Sequence, residues 1–409
     1  MAESACRTGR AVYAADLFCD VDLQAISTEA VAVTNESGDG AGGYPWSLRT
    51  AAATFPPSAA WCYTGALENH PDLVDAIAGV RPLAGNPGDV LRQVRDPAQI
   101  VDAASAAGLA FPETHLSPTG VPIDGTFLIK PIAGAGGRGI QRWTPEVASE
   151  YRRHHAGEPG PLHVWQRFEA GLSLSAAYCL SPRTASQGTA RLLGLTRQLI
   201  GEPWCRAGRF AWCGAVTLWP NRVSPDYGLL ATRLHRLGDI LAERFHAVGL
   251  VGVDLVADEA GRLTVLEVNP RPTASMELFE RSGVCSMAAS HLSACGFPAS
   301  ARLPQPTGPA EPATIWAKAV LFAEQATPIS PPLIDALILE TSAWTRADGG
   351  WPALADIPRP GQILAARGPA VTIFATGRTV DEAIAALRGR VARIDALLAS
   401  ARTPKADGG

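Results

Sequence analysis

Lysine is nearly absent from this chain. Three of its 35 basic residues are Lys (Lys130, Lys318 and Lys405) and all the others are Arg. A chain-wide bias towards Arg accounts for the skew. A retained Lys therefore marks a place for a compact ammonium on a flexible stem, which Arg does not imitate. Lys405 lies in a polar tail, but Lys130 and Lys318 stand inside apolar runs. Charge is also scarce, at 18% of residues with a net value of −4, against about 25% charged in an average protein. That excludes a broad basic footprint for nucleic acid or an anionic membrane surface. No apolar run is long enough for a membrane-spanning helix. The eight Cys contain no CxxC pair, so a disulfide framework or zinc ribbon is not indicated. Met1 to Val12 lack the apolar stretch of a secretory signal, and a cytoplasmic protein with reduced thiols is expected.

What is present is apolar and turn-rich. Hydrophobic residues make up 47% of the 409 positions, with 40 Gly and 33 Pro. That apolar fraction argues for ordered turns over disorder. At roughly 100–200 residues per domain, the chain has room for two to four domains. Apolar runs at 10–16, 30–34 and 60–65 predict strands, and Pro71–Gly79 predicts a helix with Pro at its start and Gly at its end. The alternation suggests an open α/β unit of about 90 residues. A second helix is expected from Pro97 to about Gly108. Strands are expected at 127–132, 163–169, 172–180, 190–200 and 210–218. Leu230, Leu234, Leu237, Leu241 and Phe245 repeat at steps of three and four, the mark of an amphipathic helix. Two strands, Val251–Val256 and Leu263–Val268, come next, followed by a helix over 276–295. The Pro-rich stretch 300–312 reads as a boundary. Strand-like runs then lead to a closing helix over 380–399.

Two clusters carry chemistry. The first is the strand Leu128–Ile132 with Lys130, followed by Gly134, Gly136, Gly137 and Gly139. Glycines let backbone N–H groups turn inward around phosphate oxygens. A Walker loop is excluded, since no Lys-Ser/Thr follows the glycines. A dinucleotide loop needs a helix directly afterwards and an acid about 20 residues on. Here Trp143-Thr144-Pro145 interrupts, and Glu150 and Glu158 do not close a second strand. A plain hairpin turn and a mobile phosphate lid remain open.

The second cluster is Asp254 on one strand, with Glu267, Asn269 and Arg271 at the end of the next. Side chains alternate along a strand, so Glu267 and Asn269 share a face that Asp254 can join across a hairpin. Two carboxylates and an amide oxygen suit Mg²⁺, which pairs one or two carboxylates with substrate phosphates. A polar hairpin face is the alternative.

Taken together, the strand lysine, glycine loop, hinge strand and Glu-x-Asn segment resemble the ATP-grasp superfamily over roughly residues 90–300. The nearest likeness is to predicted ATP-dependent carboligases related to biotin carboxylase. The resemblance implies an α/β (α+β) fold of four parts: a pre-ATP-grasp α/β domain (1–90), a small lid subdomain (91–170), a core with the metal site (171–300) and a C-terminal β-rich module plus helix (313–401). It implies that Lys130 and the glycines hold nucleotide phosphates and that Gln166, Phe168 and Glu169 lie on the adenine and ribose hinge. It also implies that Asp254, Glu267 and Asn269 bind Mg²⁺ (or Mn²⁺), and that Arg271 stabilises an acyl-phosphate or substrate anion. Where many relatives have a second Lys, this chain has Arg92 or Arg95, of which Arg95 is taken as the contact. No biotin-carrier motif is present.

The implied activity is an ATP- and Mg²⁺-dependent ligase. It would join a small-molecule carboxylate to an amine through an acyl-phosphate, in amino-acid or C1-carrier metabolism. A carboxylating enzyme or phosphotransferase, and a non-catalytic nucleotide-binding module, are the alternatives. No nucleic acid or membrane partner is expected, and a homodimer is allowed. Among other features, His154-His155 reads as a surface loop and Arg197-Gln198 as either a substrate contact or an exposed pair. Lys318 reads as a partly buried ion pair or an active-site contribution from the C-terminal module.

Overall fold

The structure is a computed structural model and describes residues 1–33, 43–154, 163–182, 190–218, 227–298 and 314–402. His155, Glu158, Lys405 and the connector at 300–312 lie outside the described residues.

The N-terminal unit runs α1 (Ala2–Arg7), β1 (Tyr13–Asp16), α2 (Val21–Ile26), β2 (Glu29–Ala32) and α3 (Ser47–Thr54). A 3-10 turn (Gly65–Asn69) and helices α4 (Pro71–Ala78), α5 (Gly88–Val94) and α6 (Pro97–Ala106) complete it. Strands β1 and β2 pair in parallel. Helix α4 has Pro at its first position and Gly79 at its C-cap, as the sequence predicts. Helix α6 starts on Asp96, whose carboxylate accepts from the Ala98 N–H at 3.0 Å. The strand expected at 60–65 is absent beyond a single bridge from Trp61 to Leu83. Tyr63 instead packs against Leu73, Val74, Ile77 and Leu91. Its hydroxyl donates to the Asn86 carbonyl at 2.7 Å, so side-chain packing overrides the β-prone run.

The lid sheet comprises β3 (Thr114–His115), β4 (Phe127–Pro131), β5 (Gln141–Arg142) and β6 (His163–Arg167), with α7 (Pro145–His154) on one side. All its pairs are antiparallel, in the order β3-β6-β4-β5. The glycine loop therefore joins two antiparallel strands, which removes the dinucleotide reading, since that needs a helix after the loop.

The core follows as β7 (Leu172–Leu180), β8 (Ala190–Ile200), a 3-10 turn (Pro203–Cys205), β9 (Trp212–Leu218), α8 (Tyr227–Arg244), β10 (Gly249–Ala257) and β11 (Leu263–Asn269). The helix expected over 276–295 is divided into α9 (Glu277–Arg281) and α10 (Met287–Ala294). Between them Gly283 adopts φ +75°, which ends the first helix. The last elements are β12 (Ile315–Phe322), β13 (Thr327–Pro328), α11 (Pro331–Ala347), β14 (Leu354–Ala355), β15 (Ile363–Leu364), β16 (Pro369–Gly377) and α12 (Val380–Ser400).

One eight-stranded sheet, ordered β11-β10-β7-β8-β9-β12-β16-β14, runs through the core and the C-terminal strands. Gly214 makes the joint between them possible, because a Cβ there would lie 2.2 Å from the Lys318 carbonyl oxygen. Helix α8 covers one face. Leu234, Leu237, Leu241 and Phe245 are fully buried there against Leu174, Tyr178, Val253 and Leu255. Each such side chain contributes about 1.5–3 kcal/mol of burial. Helix α12 buries Leu387, Val391, Ile394 and Leu398 beneath β12 and β16. The opposite face of the sheet carries the polar residues described next. No helix among the described residues is long and apolar enough to cross a membrane.

Candidate active site

A cleft opens between the lid sheet and the edge of the large sheet. Arg95, Lys130, Gly134, Gly136, Gly137, Arg138 and Glu267 contribute its polar part. Ile100, Phe111, Ile132, Ile140, Val164 and Val268 give it apolar walls. Lys130 sits on β4 opposite Val164 of β6. Its ammonium donates to the Gln166 side-chain oxygen at 2.9 Å. The Gln166 amide in turn donates to Thr114 at 3.3 Å, so the lysine is braced from the neighbouring strand. Gln166 is buried and committed to that brace, and it does not line the cleft.

The lid loop rests on the core. The Trp212 N–H donates to the Gly136 carbonyl at 3.1 Å. Gly137 has φ +77°, and a Cβ there would fall 1.8 Å from the Phe210 carbonyl oxygen. Only glycine fits that contact. Gly139 does not line the cleft and packs on Pro131 instead.

Of the two candidate arginines, Arg95 faces the cleft and Arg92 pairs with Asp72 and Asp75 on helix α4. Arg95 donates to the Asn69 side chain at 2.8 Å and to the Ile132 carbonyl. Asn69 donates onward to the Gly134 carbonyl at 3.2 Å. This asparagine therefore links the cation to the lid, a role that no local pattern in the sequence announces.

Asp254 and Glu267 face each other directly across the β10–β11 pair. A bulge beside them leaves Leu266 without a partner, so Val265 and Val268 both reach the core while Glu267 and Asn269 share the other face. Bulges re-aim side chains in this way. The Asn269 amide donates to Asp254 at 3.2 Å. Gln198, on β8, donates to Asp254 at 2.7 Å and to the Leu174 carbonyl at 2.9 Å.

Burial and the facing Glu267 push the Asp254 carboxyl well above its usual range. Glu267 is held below its own range by Lys130 and Arg95, against a burial that works the other way. Two facing carboxylates repel each other when both are ionised. The donor set fits a hard divalent ion, because a dication would relieve that repulsion. Among the described residues no group of three or more His, Cys, Asp or Glu gathers around a metal position. Two carboxylates and an amide would leave the rest of the shell to phosphate and water, as Mg²⁺ accepts.

Arg271 is not a free cation. Its guanidinium makes a two-point pair with Glu68, at 2.7 Å for each bond. The Glu68 side chain is 1% exposed and that of Arg271 15%. Glu68 and Asn69 thus reach the site from one 3-10 turn of the N-terminal unit. Their sequence distance from Arg271 hides them, and only the paired Glu-Asn dipeptide could have drawn attention. Phe168 and Glu169 are half-buried just beyond β6. The guanidinium of Arg142 lies 3.7 Å over the Phe168 ring, and neither hinge residue lines the cleft. His154 is exposed and bonds to the Glu150 carbonyl.

Residues 95–275 match a family model described as an ATP-grasp domain. No curated protein matches the chain significantly. Several solved structures share the fold. A pyruvate carboxylase from Rhizobium etli, with acetyl coenzyme A, superposes with a TM-score of 0.65 at 14% identity. That match covers 97% of this chain, which spans only 37% of the carboxylase. N5-carboxyaminoimidazole synthetase from Staphylococcus aureus, complexed with ADP, gives 0.60 at 13% identity, covering 95% and 93% of the two chains. An L-amino acid ligase from Bacillus licheniformis gives 0.61 at 14% identity, covering 95% and 92%. At these identities the likeness concerns the fold.

Proposed function

Because residues 95–275 form an ATP-grasp domain, we propose that the chain is an ATP-dependent ligase that activates a carboxylate as an acyl-phosphate and joins it to an amine. One observation carries the reading. Lys130 on the lid strand, a second cation (Arg95), the glycine loop and Glu267 converge on one cleft, and Asp254 faces Glu267 across the strand pair.

Lys130 and Arg95 would hold the anionic oxygens of the nucleotide phosphates, since phosphoryl transfer needs charge neutralisation and in-line placement more than a covalent nucleophile. The apolar walls from Ile100 to Val268 suit the base. Asp254, Glu267 and Asn269 would hold Mg²⁺, which supplies charge neutralisation at the transferring phosphoryl group. The loop at 134–139, seated on Phe210 and Trp212, keeps water from an intermediate that hydrolyses readily. Arg271 is already neutralised by Glu68, so it orients a substrate anion through its remaining N–H groups. The substrate carboxylate attacks the γ-phosphate and ADP leaves. The neutral amine nitrogen then attacks the acyl carbon, the C–O bond to phosphate breaks, inorganic phosphate leaves and the nitrogen gives up a proton to solvent.

The test is ADP release from the full chain with MgATP and a panel of carboxylates and amines. Release that needs both a carboxylate and an amine supports the ligase. Release driven by bicarbonate favours the carboxylating alternative, and tight nucleotide binding without turnover favours a binding module.

A further inference from the structure

The lid loop is held from outside by its carbonyls. Arg95 donates to the Ile132 carbonyl, Asn69 to the Gly134 carbonyl at 3.2 Å and the Trp212 N–H to the Gly136 carbonyl at 3.1 Å. The Trp212 clamp belongs to the core, whereas the other two come from the N-terminal unit. A trans peptide sets each N–H opposite the preceding carbonyl. The N–H groups of Ala135 and Gly137 therefore point away from Asn69 and Trp212. Neither donates to a carbonyl among the described residues, and both residues line the cleft. Two free backbone donors are thus held at the cleft, an arrangement that takes an anion.

Asn69 sets a second kind of donor as well. Its side-chain oxygen accepts from Arg95 Nη2 at 2.8 Å, and the same nitrogen reaches the Ile132 carbonyl. A guanidinium has five N–H groups. Nη2 is used up by those two bonds, so Nε and Nη1 remain for the cleft that Arg95 lines. One side-chain amide thereby fixes a backbone donor with its nitrogen and a cation with its oxygen. Its support is stiff. Asn69 closes the 3-10 turn Gly65–Asn69, whose Leu67 is buried among Tyr63, Leu73 and Val74. Glu68 beside it is locked to Arg271, and helix α4 begins two residues later.

We propose that Asn69 is a positioning residue for the nucleotide phosphates. It presets the lid amides and Arg95 from the N-terminal unit and does not itself line the cleft. The proposal rests on the nucleotide reading of the cleft and is indifferent to which acceptor the phosphate reaches.

Two measurements on the full chain test it. Calorimetric titration gives the affinity for MgADP and for the MgATP analogue with a β,γ-imido bridge. Hydrogen–deuterium exchange without nucleotide follows the lid, 132–140, and helix α4, 71–78. The Gly134 and Arg138 N–H groups, bonded within the loop at 3.2 and 3.1 Å, report on its shape. Asn69→Leu is expected to weaken both nucleotides by about tenfold or more, the worth of a hydrogen bond to a charged group. It is expected to speed exchange in the lid several-fold and to leave α4 as in the wild type. Asn69→Gln keeps the amide and is expected to recover part of both effects. Unchanged nucleotide affinity or unchanged lid exchange in Asn69→Leu overturns the proposal. Exchange that speeds as much in α4 as in the lid also overturns it, since Asn69 is then a prop of the N-terminal unit alone. Asn69→Gln that behaves like Asn69→Leu does the same, since the amide is then not the agent. A wild type that binds neither nucleotide sinks the nucleotide reading and this proposal together. A chain that shows the expected Asn69 effects yet never releases ADP sinks the ligase and leaves the positioning role standing.

Discussion

Removing Glu68 should destabilise the protein more than removing Glu68 and Arg271 together. Each bond of the pair is 2.7 Å long and the acid is 1% exposed. Deleting one partner of a buried ion pair costs about 3–5 kcal/mol because it strands a charge, and deleting both avoids that penalty. In a cooperative unit of about 150–250 residues a kilocalorie moves the melting temperature by about 2–4 °C. Glu68→Ala is thus expected to melt roughly 10 °C below the wild type. Arg271→Ala should be milder, because a stranded carboxyl can take up a proton while a stranded guanidinium cannot shed one. Glu68→Ala/Arg271→Ala should recover part of the loss, with a coupling of about 2 kcal/mol. Scanning calorimetry of the four proteins at pH 7 measures this. Losses that simply add would refute the reasoning and reduce the pair to two independent packing contacts.

Gly137→Ala should raise the KM for ATP by about tenfold, because its new Cβ collides with the Phe210 carbonyl and unseats the lid. Gly136→Ala meets nothing within 4 Å, so steady-state kinetics should show a smaller effect; equal effects would remove the clamp as the cause. Burial and the neighbouring Asp356, Asp22 and Asp16 raise Asp20 to about 7. The folded chain then holds a proton that the unfolded chain releases near 3.8, so this group costs stability as pH rises from about 4 to about 7. Asp20→Asn should therefore stabilise by about 1–2 kcal/mol at pH 8, after allowance for solvent screening, and by almost nothing at pH 4. A gain of equal size at both pH values would contradict the assignment.

How much was legible depended on the range of the contacts. Strands β7 to β11 and helices α8 and α12 follow apolar periodicity, which is a local property. Lys130 stood out because the chain spends so few lysines, and Glu267 with Asn269 because strand alternation puts them on one face. The run at 60–65 misled, since Trp61 and Tyr63 satisfy the same apolar demand by packing on helix α4. The pairing of Glu68 with Arg271 spans 203 positions, and nothing local signals it. The sequence marks Gln198 as a candidate contact but does not place it, because its contact with Asp254 depends on the order of strands in the sheet. The division of 276–295 into two helices turned on Gly283, whose backbone a periodic pattern does not report.

Acyl-phosphate formation leaves an isotopic trace that no rival reaction shares. The carboxylate identified by ADP release would be supplied with both oxygens as ¹⁸O, together with MgATP and the amine. Attack on the γ-phosphate carries one of those oxygens into the released phosphate. Phosphate with a single ¹⁸O, formed in step with ADP and absent in Lys130→Ala and Glu267→Ala proteins that still fold, is the predicted result. Unlabelled phosphate alongside ADP, or AMP in place of ADP, would contradict the mechanism.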